Sequence, residues 1–334
     1  MSSRELVVVT HGLTKRFGDF VAVDSFDLEV KEGTVVSLLG PNGAGKTTIV
    51  RMLATLIRPT SGTASVWGHD VVKEADTVRS LLSLTGQFAA LEDNLTAKEN
   101  LMLMARLRGY SRSAAERVTE NLVERFDIGE FRDKLVKSLS GGQRRRVDLA
   151  ASLVVQPKVL ILDEPTTGLD PRSRQVVWST IRELVGTGVT LFLTTQYLEE
   201  ADALADYIVL MDHGRATAAG TANELKSLIG DQRVDIIAAD AQGFDRLAAA
   251  LSPRFEVSLS REQRMVSVPA PDELGDLARV TDALRDVDVE IDEIALRRPT
   301  LDDAFLALTG QPVDAPVNEN TSGYWAPKLE ESHS

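Results

Sequence analysis

Short, largely apolar runs recur through roughly the first 230 residues: "TVVSLL" (Thr34 to Leu39), "KVLIL" (Lys158 to Leu162), "VTLFLTT" (Val189 to Thr195) and "YIVLM" (Tyr207 to Met211). Runs this brief, without polar alternation, suit strands covered on both faces of a parallel sheet. Helical patterns separate them and carry their own start signals. "LDPRSRQVVW" places Asp170 as an N-cap with Pro171 at the first helical position. "TAKENLMLMARLRG" opens on a capping box, Thr96 and Glu99, and closes at Gly109. The alternation predicts an α/β domain over residues 1–230. Between Gln87 and Leu139 the strand pattern gives way to helical periodicity, which predicts an inserted helical subdomain at about 88–155. Residues 231–310 alternate as βαββαβ, a small α+β domain, and end in "TLDDAFLALTG", a short helix capped by Thr300. The Pro-, Asn-, Ser- and Glu-rich segment 311–334, with Tyr324 and Trp325, is expected to be a disordered tail.

Composition narrows the class. In 334 residues, 43% are hydrophobic and 26% charged, as in ordinary globular domains. No apolar run approaches the ~20 residues that span a bilayer. The start "MSSRELVVVT" lacks the basic and apolar regions of a secretory signal. With no cysteine, disulfides and thiolate metal sites are excluded, and the chain is expected to be cytosolic. A net charge of −13 argues against broad nucleic-acid binding, which needs a basic footprint. The run Arg144, Arg145 and Arg146 is expected to be a solvated helix face.

Candidate chemistry starts at "GPNGAGKTT", comprising Gly40, Pro41, Asn42, Gly43, Ala44, Gly45, Lys46, Thr47 and Thr48. It follows a strand and opens a helix, which is the context a phosphate-binding loop requires. Gly43 and Gly45 let the backbone wrap the phosphates, Lys46 reaches the β- and γ-phosphates, and Thr47 offers a hydroxyl to Mg²⁺. "VLILDEP" delivers Asp163 to the Mg²⁺ shell and Glu164 to the attacking water at a strand's carboxyl end. These parts define a phosphate-loop NTPase and leave kinases, helicases and small GTPases open.

A second glycine turn, "LSGGQ" from Leu139 to Gln143, opens another helix. Ser140 can cap it and also donate to a phosphate oxygen, and Gly141 and Gly142 allow close approach. A nucleotide on Lys46 is already enclosed by its own loop. The second cradle is therefore useful to a different nucleotide, most economically one carried by another copy in a two-fold dimer.

In order, "GPNGAGKTT", Gln87 in "LTGQFAALEDNLTAKENL", "LSGGQ", "VLILDEPTTGLD" and "TTQYLEEAD" resemble the ATP-binding cassette (ABC) ATPases over about the first 230 residues. The resemblance implies an ABC-type nucleotide-binding domain with ATP and Mg²⁺ as cofactors. It implies Phe17 stacked on adenine, Gln87 at the metal or attacking water, Ser140 to Gln143 on a partner's γ-phosphate, and Asp170 linking the two sites. The family usually has histidine where this chain has Gln196. Glutamine can donate a hydrogen bond but carries no charge, which implies a γ-phosphate sensor less dependent on pH near neutrality.

"GGQRRRVDLAAS", "TTGLDPRSRQVVW", "TTQYLEEADALAD" and "RRPTLDDAFLALTG" are further similar to the daunorubicin/doxorubicin-resistance ATP-binding proteins, to about residue 310. "LSGGQ" replaces the methionine-containing "SGGM" common in that branch. The implied role is a homodimeric energising subunit of a bacterial drug, antibiotic or lipid exporter, peripheral on the cytoplasmic face of the membrane. Its partners would be separately encoded polytopic permease subunits and no nucleic acid. Phe88, Leu91 and Leu95 are candidates for a permease-binding cleft or, equally, for core. Two other readings stand beside it. A soluble ABC ATPase acting on nucleic acid or ribosomes would usually carry two cassettes, long coiled-coil inserts or zinc-binding cysteines. A degenerate, non-enzymatic regulator conflicts with an intact Lys46, Asp163 and Glu164.

Overall fold

The computed structural model describes residues 5–86, 91–228, 232–285 and 287–309. The expectations for Gln87, Phe88 and the tail lie outside them. The chain divides into two units between Ala222 and Asn223.

The first unit runs β1 (Leu6–Phe17), β2 (Phe20–Lys31), β3 (Val35–Leu39), α1 (Lys46–Leu53), β4 (Ser61–Val66), β5 (His69–Asp70), α2 (Ala75–Leu81) and β6 (Leu82–Thr85). It continues with α3 (Ala97–Leu107), α4 (Arg112–Arg125), α5 (Gly141–Ser152), β7 (Val159–Asp163), α6 (Pro171–Val185), β8 (Thr190–Thr195), α7 (Leu198–Leu204), β9 (Tyr207–Asp212) and β10 (Arg215–Gly220). Strands β2-β1-β4-β5 form an antiparallel sheet. The central sheet has the order β10-β9-β3-β8-β7-β6 and is parallel apart from the antiparallel edge strand β10.

Side-chain alternation explains why the central strands are buried on both faces. Val159 and Ile161 of β7, Phe192 of β8, and Val36 and Leu38 of β3 enter the core shared with α1 and the antiparallel sheet. Their neighbours Leu160, Leu162, Leu191, Leu193 and Val35 enter a second core built with α3 to α6. Every residue of β3, β7 and β8 is consequently buried. The helical region 97–152 forms as its start signals predict. Thr96 and Glu99 close a capping box on α3, and Asp170 caps α6 by accepting from Ser173 N–H. Leu91 is part of the second core, so that candidate cleft residue is a core residue, while Leu95 is half-buried.

The boundary falls after the first residue of α8 (Ala222–Ser227), and the second unit continues with β11 (Arg233–Ala238), α9 (Ala241–Leu251), β12 (Ser258–Ser260), β13 (Met265–Pro269), α10 (Glu273–Leu284), β14 (Ile291–Arg297) and α11 (Leu301–Thr309). Its sheet, β12-β13-β11-β14, is antiparallel. Val234, Ile236, Phe244, Leu247, Val268 and Val280 belong to its own core. Thr300 caps α11, its Oγ1 accepting from Asp303 N–H at 3.1 Å.

Candidate functional site

Three adjacent central strands end together. β3 lies beside β8, and β8 beside β7, so the loops after Leu39, Asp163 and Thr195 leave the sheet side by side. The crevice beyond the carboxyl ends of parallel strands is where open α/β sheets hold ligands.

The phosphate loop is held tightly from behind. A β-carbon on Gly40 would lie 2.2 Å from the Met211 carbonyl oxygen. Gly45 has φ +98°, and a β-carbon there would come 2.5 Å from the Ala22 carbonyl oxygen. Glycine is thus required at both positions by space, and at Gly45 by the left-handed backbone as well. Gly45 precedes α1 without any side-chain cap, so the first N–H groups of that helix remain for an anion. Lys46 crosses the loop, its Nζ donating to the carbonyls of Gly40 at 2.6 Å and Pro41 at 2.9 Å. Only 4% of Lys46 is exposed, and its Nζ sits 4.0 Å from Glu164 Oε1. Burial lowers its pKa, while the negative charges of Glu164 and Asp163 oppose that shift.

Asp163 Oδ1 accepts from the Thr47 hydroxyl at 3.2 Å and the Thr194 hydroxyl at 2.5 Å. Hydroxyl and carboxylate oxygens brought together in this way fit a small hard cation such as Mg²⁺, which takes few protein ligands and keeps waters and phosphates for the rest. Among the described residues, no group of three or more His, Cys, Asp or Glu could by itself enclose a metal. Glu164 takes a left-handed backbone, φ 50°, and its N–H donates to both the carbonyl and the hydroxyl of Thr194, each at 3.1 Å. Its Oε2 accepts from the Thr167 hydroxyl at 3.2 Å. Gln196 follows Thr195, whose carbonyl accepts from the N–H of Gly40 at 3.3 Å. The candidate sensor therefore leaves its strand next to the first residue of the phosphate loop.

The second glycine turn is a separate device. Ser140 Oγ accepts from Gln143 N–H, and Gln143 Oε1 accepts from Ser140 N–H, closing a capping box on α5. Gly142 packs on Ser173, where a β-carbon would meet Oγ at 2.6 Å; one on Gly141 would meet Leu169 Cδ2 at 3.3 Å. Asp170 accepts from the Ser173 N–H at 3.0 Å and hydroxyl at 2.6 Å, and those bonds hold its carboxyl below the usual range. Ser140, Gly141 and Asp170 are exposed. Among the described residues, no hydrogen bond joins Ser140 or Gln143 to the phosphate loop. Phe17 and Phe20 face each other across the β1–β2 turn, 52% and 64% exposed, with Lys15 Nζ 5.1 Å from the Phe17 ring.

The three arginines do not form a solvated face. Arg144 pairs with Asp93 at 2.7 Å, Arg145 with Asp148 at 2.9 Å and Arg146 with Asp127 at 2.9 Å. Arg145 is 10% exposed and Arg146 17%. Three successive helical positions turn to three directions, and two of those directions here meet packed neighbours rather than water. Sequence reasoning also passed over Thr194, Thr166, Trp178 and Glu200. For Thr194 a signal existed: a hydroxyl inside a two-sided apolar strand must find a partner. Glu200 looked like one acid in the charged stretch "YLEEAD".

A phosphate loop on a central strand, two acids on a near neighbour and a capped glycine turn ahead of an inserted helix define an ABC-type ATPase domain. The family described as ABC transporter matches residues 23–167. The chain is 50% identical over 306 residues to the daunorubicin resistance ATP-binding protein DrrA3 of Streptomyces coeruleorubidus, covering 92% of this chain and 96% of that one. It is 48% identical over 308 residues to the daunorubicin/doxorubicin resistance ATP-binding protein DrrA of Streptomyces peucetius, covering 92% and 93%. Among solved structures, cbiO1 from Clostridium perfringens, part of the ABC transporter complex cbiONQ, superposes with a TM-score of 0.62 at 24% identity, over 75% of this chain and 97% of that one. The chain belongs to the ABC transporter ATP-binding subunits, in the group of the daunorubicin/doxorubicin resistance ATP-binding proteins.

Proposed function

We propose that this ATPase subunit works as a homodimer that drives efflux of a drug, antibiotic or lipid through separately encoded membrane subunits. The names of its relatives support export over action on nucleic acid. Among the described residues no helix is long and apolar enough to cross a membrane, so the passage itself would belong to partner subunits. Docking against such subunits would place the protein peripherally on the cytoplasmic face of the membrane.

The observation that carries the dimer is the separation of the two cradles. Lys46, Thr47, Asp163 and Glu164 assemble at one set of strand ends, while Ser140 and Gly141 are capped, exposed and bonded within their own turn. Such a turn suits a nucleotide presented by a second copy. In the shared pocket Lys46 and the first N–H groups of α1 hold the phosphates, and Phe17 stacks on adenine. Glu164 accepts the proton of the water that attacks the γ-phosphorus as ADP departs, and Gln196 donates to the γ-phosphate oxygens. Bound Mg²⁺, held by Thr47, Asp163 and Gln87, would neutralise developing phosphate charge. The partner subunit's serine turn and Asp170 complete the enclosure.

Size-exclusion chromatography of Glu164→Gln with ATP and Mg²⁺ tests this: a dimer is expected, with the wild type returning to monomer as ATP is consumed. A variant that stays monomeric with ATP bound would overturn the shared site. Co-purification of a polytopic membrane protein is expected from native membranes. ATP turnover that disappears on nuclease treatment would favour the nucleic-acid reading instead.

A further inference from the structure

Glu200 on α7 has no exposed surface. Its Oε1 accepts two hydrogen bonds from distant parts of the chain, from the Thr166 hydroxyl at 2.8 Å and from the Trp178 indole N–H at 3.0 Å. Thr166 stands two residues after Glu164, in the loop that runs on to Asp170. Trp178 is on α6, the helix that Asp170 caps. Glu200 itself is four residues past Gln196. One carboxylate oxygen therefore ties together the three segments that carry the water-polarising acid, the candidate γ-phosphate sensor and the residue expected to link the two sites.

The surroundings show that Glu200 is more than filler. A buried carboxyl is costly where an aliphatic side chain of similar volume would pack without penalty. Burial pushes its pKa up, against the donors around it and the charge of Arg145. Arg145 lies five residues past Ser140 on α5. It donates to the Gly86 carbonyl at 3.1 Å and to Asp148 Oδ2 at 2.9 Å, while its Nε and Nη2 have no hydrogen-bond partner among the described residues. The charge network around Glu200 thus extends onto the helix opened by the second glycine turn.

We propose that Glu200 is a positioning residue for ATP hydrolysis, fastening the Glu164-to-Asp170 loop to the helix that follows Gln196. The proposal rests on the reading of Glu164 and Gln196 given above. Glu200 is fully buried, so its effect passes through the segments it binds, those of Thr166 and Trp178. Loss of the peg lets Glu164 drift relative to Gln196, and drift of about 1 Å can cost on the order of 100-fold in rate.

The test compares kcat with ATP affinity in Glu200→Ala and Glu200→Gln. Glu200→Ala is expected to lower kcat by roughly 10- to 100-fold with ATP affinity within about threefold of wild type. Glu200→Gln keeps an oxygen for both donors and is expected to recover most of the rate. A wild-type rate in Glu200→Ala, an equal loss of rate and affinity, or a Glu200→Gln as impaired as the alanine variant would overturn the proposal. Should Glu200→Ala fail to fold, Thr166→Val decides: it removes the hydroxyl without changing shape, and an unaltered kcat there would also overturn it. Measuring Glu164→Gln dimerisation in parallel separates the two readings. A trapped dimer together with a full-rate Glu200→Ala defeats this proposal alone, whereas an ATP-bound monomer defeats the shared-site reading and this one with it.

Discussion

Gly142 lies so close to Ser173 that a β-carbon on it would sit 2.6 Å from the serine Oγ and 2.8 Å from its Cβ. Ser173 has little room to retreat, because its hydroxyl and N–H are both bonded to Asp170. The second glycine turn and the cap of α6 are therefore locked in register. Gly142→Ala should displace one or the other, lowering ATP turnover by about tenfold or more, since oriented phosphate donors are highly sensitive to placement. Nucleotide affinity of the monomer should hold, because Lys46 is untouched. Adding Ser173→Gly makes space for the new methyl group and should restore part of the rate; a steady-state ATPase assay of the single and double variants checks this.

Lys46 is buried among carbonyls, with Glu164 as its nearest ion-pair partner at 4.0 Å. The buried ammonium bears a desolvation cost, so the residue is better suited to binding than to stability. Lys46→Ala should weaken ATP binding by about 100-fold or more, the scale of a lost charged phosphate contact. Its melting temperature without nucleotide should stay within about 3 °C of wild type. Titration with a fluorescent ATP analogue and a thermal melt measure the two quantities separately.

Gln196 directly follows β8, at the position where the resemblance to the ABC ATPases implies a histidine. A glutamine does not titrate, whereas a histidine changes charge near pH ~6.5. The wild-type rate should thus be nearly level between about pH 6 and pH 8, and Gln196→His should add an inflection in that range. Gln196→Ala should slow hydrolysis at all these values by about 100-fold, the scale of one lost transition-state hydrogen bond. A pH–rate profile of the three proteins at saturating ATP checks it, and an unchanged Gln196→Ala rate would remove Gln196 from the chemistry.

The parts legible in the sequence are those written in consecutive residues. The phosphate loop, the acids ending β7 and the capping residues Thr96, Ser140 and Asp170 each depend on neighbours within a few positions. The two-sided burial of β3, β7 and β8 was equally plain, because an apolar run without alternation has few other uses in a globular chain. What stayed hidden depends on chain-distant pairing. Thr166 and Trp178 meet Glu200 across 34 and 22 residues, and nothing local distinguishes Glu200 from its exposed neighbour Glu199. Arg145 was misjudged for the same reason: burial of one arginine among three is set by what packs on that side of α5. The positive φ of Glu164 has no sequence signal either, since the residue type gives no hint of a left-handed backbone.

Glu120 on α4 joins three pieces of the helical region. Its carboxylate accepts two bonds from Arg132, at 2.6 and 2.9 Å, and lies 2.7 Å from Lys98 Nζ on α3. Those two cations, Arg132 first, lower its pKa from 4.5 to about 2. A carboxyl whose folded pKa is depressed stabilises the fold fully above its unfolded value and loses that contribution as the pH falls through the folded value. The window here runs from 4.5 down to about 2. Because 44% of Glu120 is exposed, solvent screens the pair. The contribution should stay near or below about 1 kcal/mol, larger than a simple surface pair only through its two-point geometry. Glu120→Gln should therefore melt about 1–3 °C below wild type at neutral pH. The gap should narrow as the pH drops below 4.5, and also in molar salt, where screening weakens the wild-type pair. Thermal melts of both proteins at pH 7 and stepwise toward acid decide the matter. A gap that widens on acidification would mean that Glu120 stabilises the helices through packing or as a neutral acid, not through its charge.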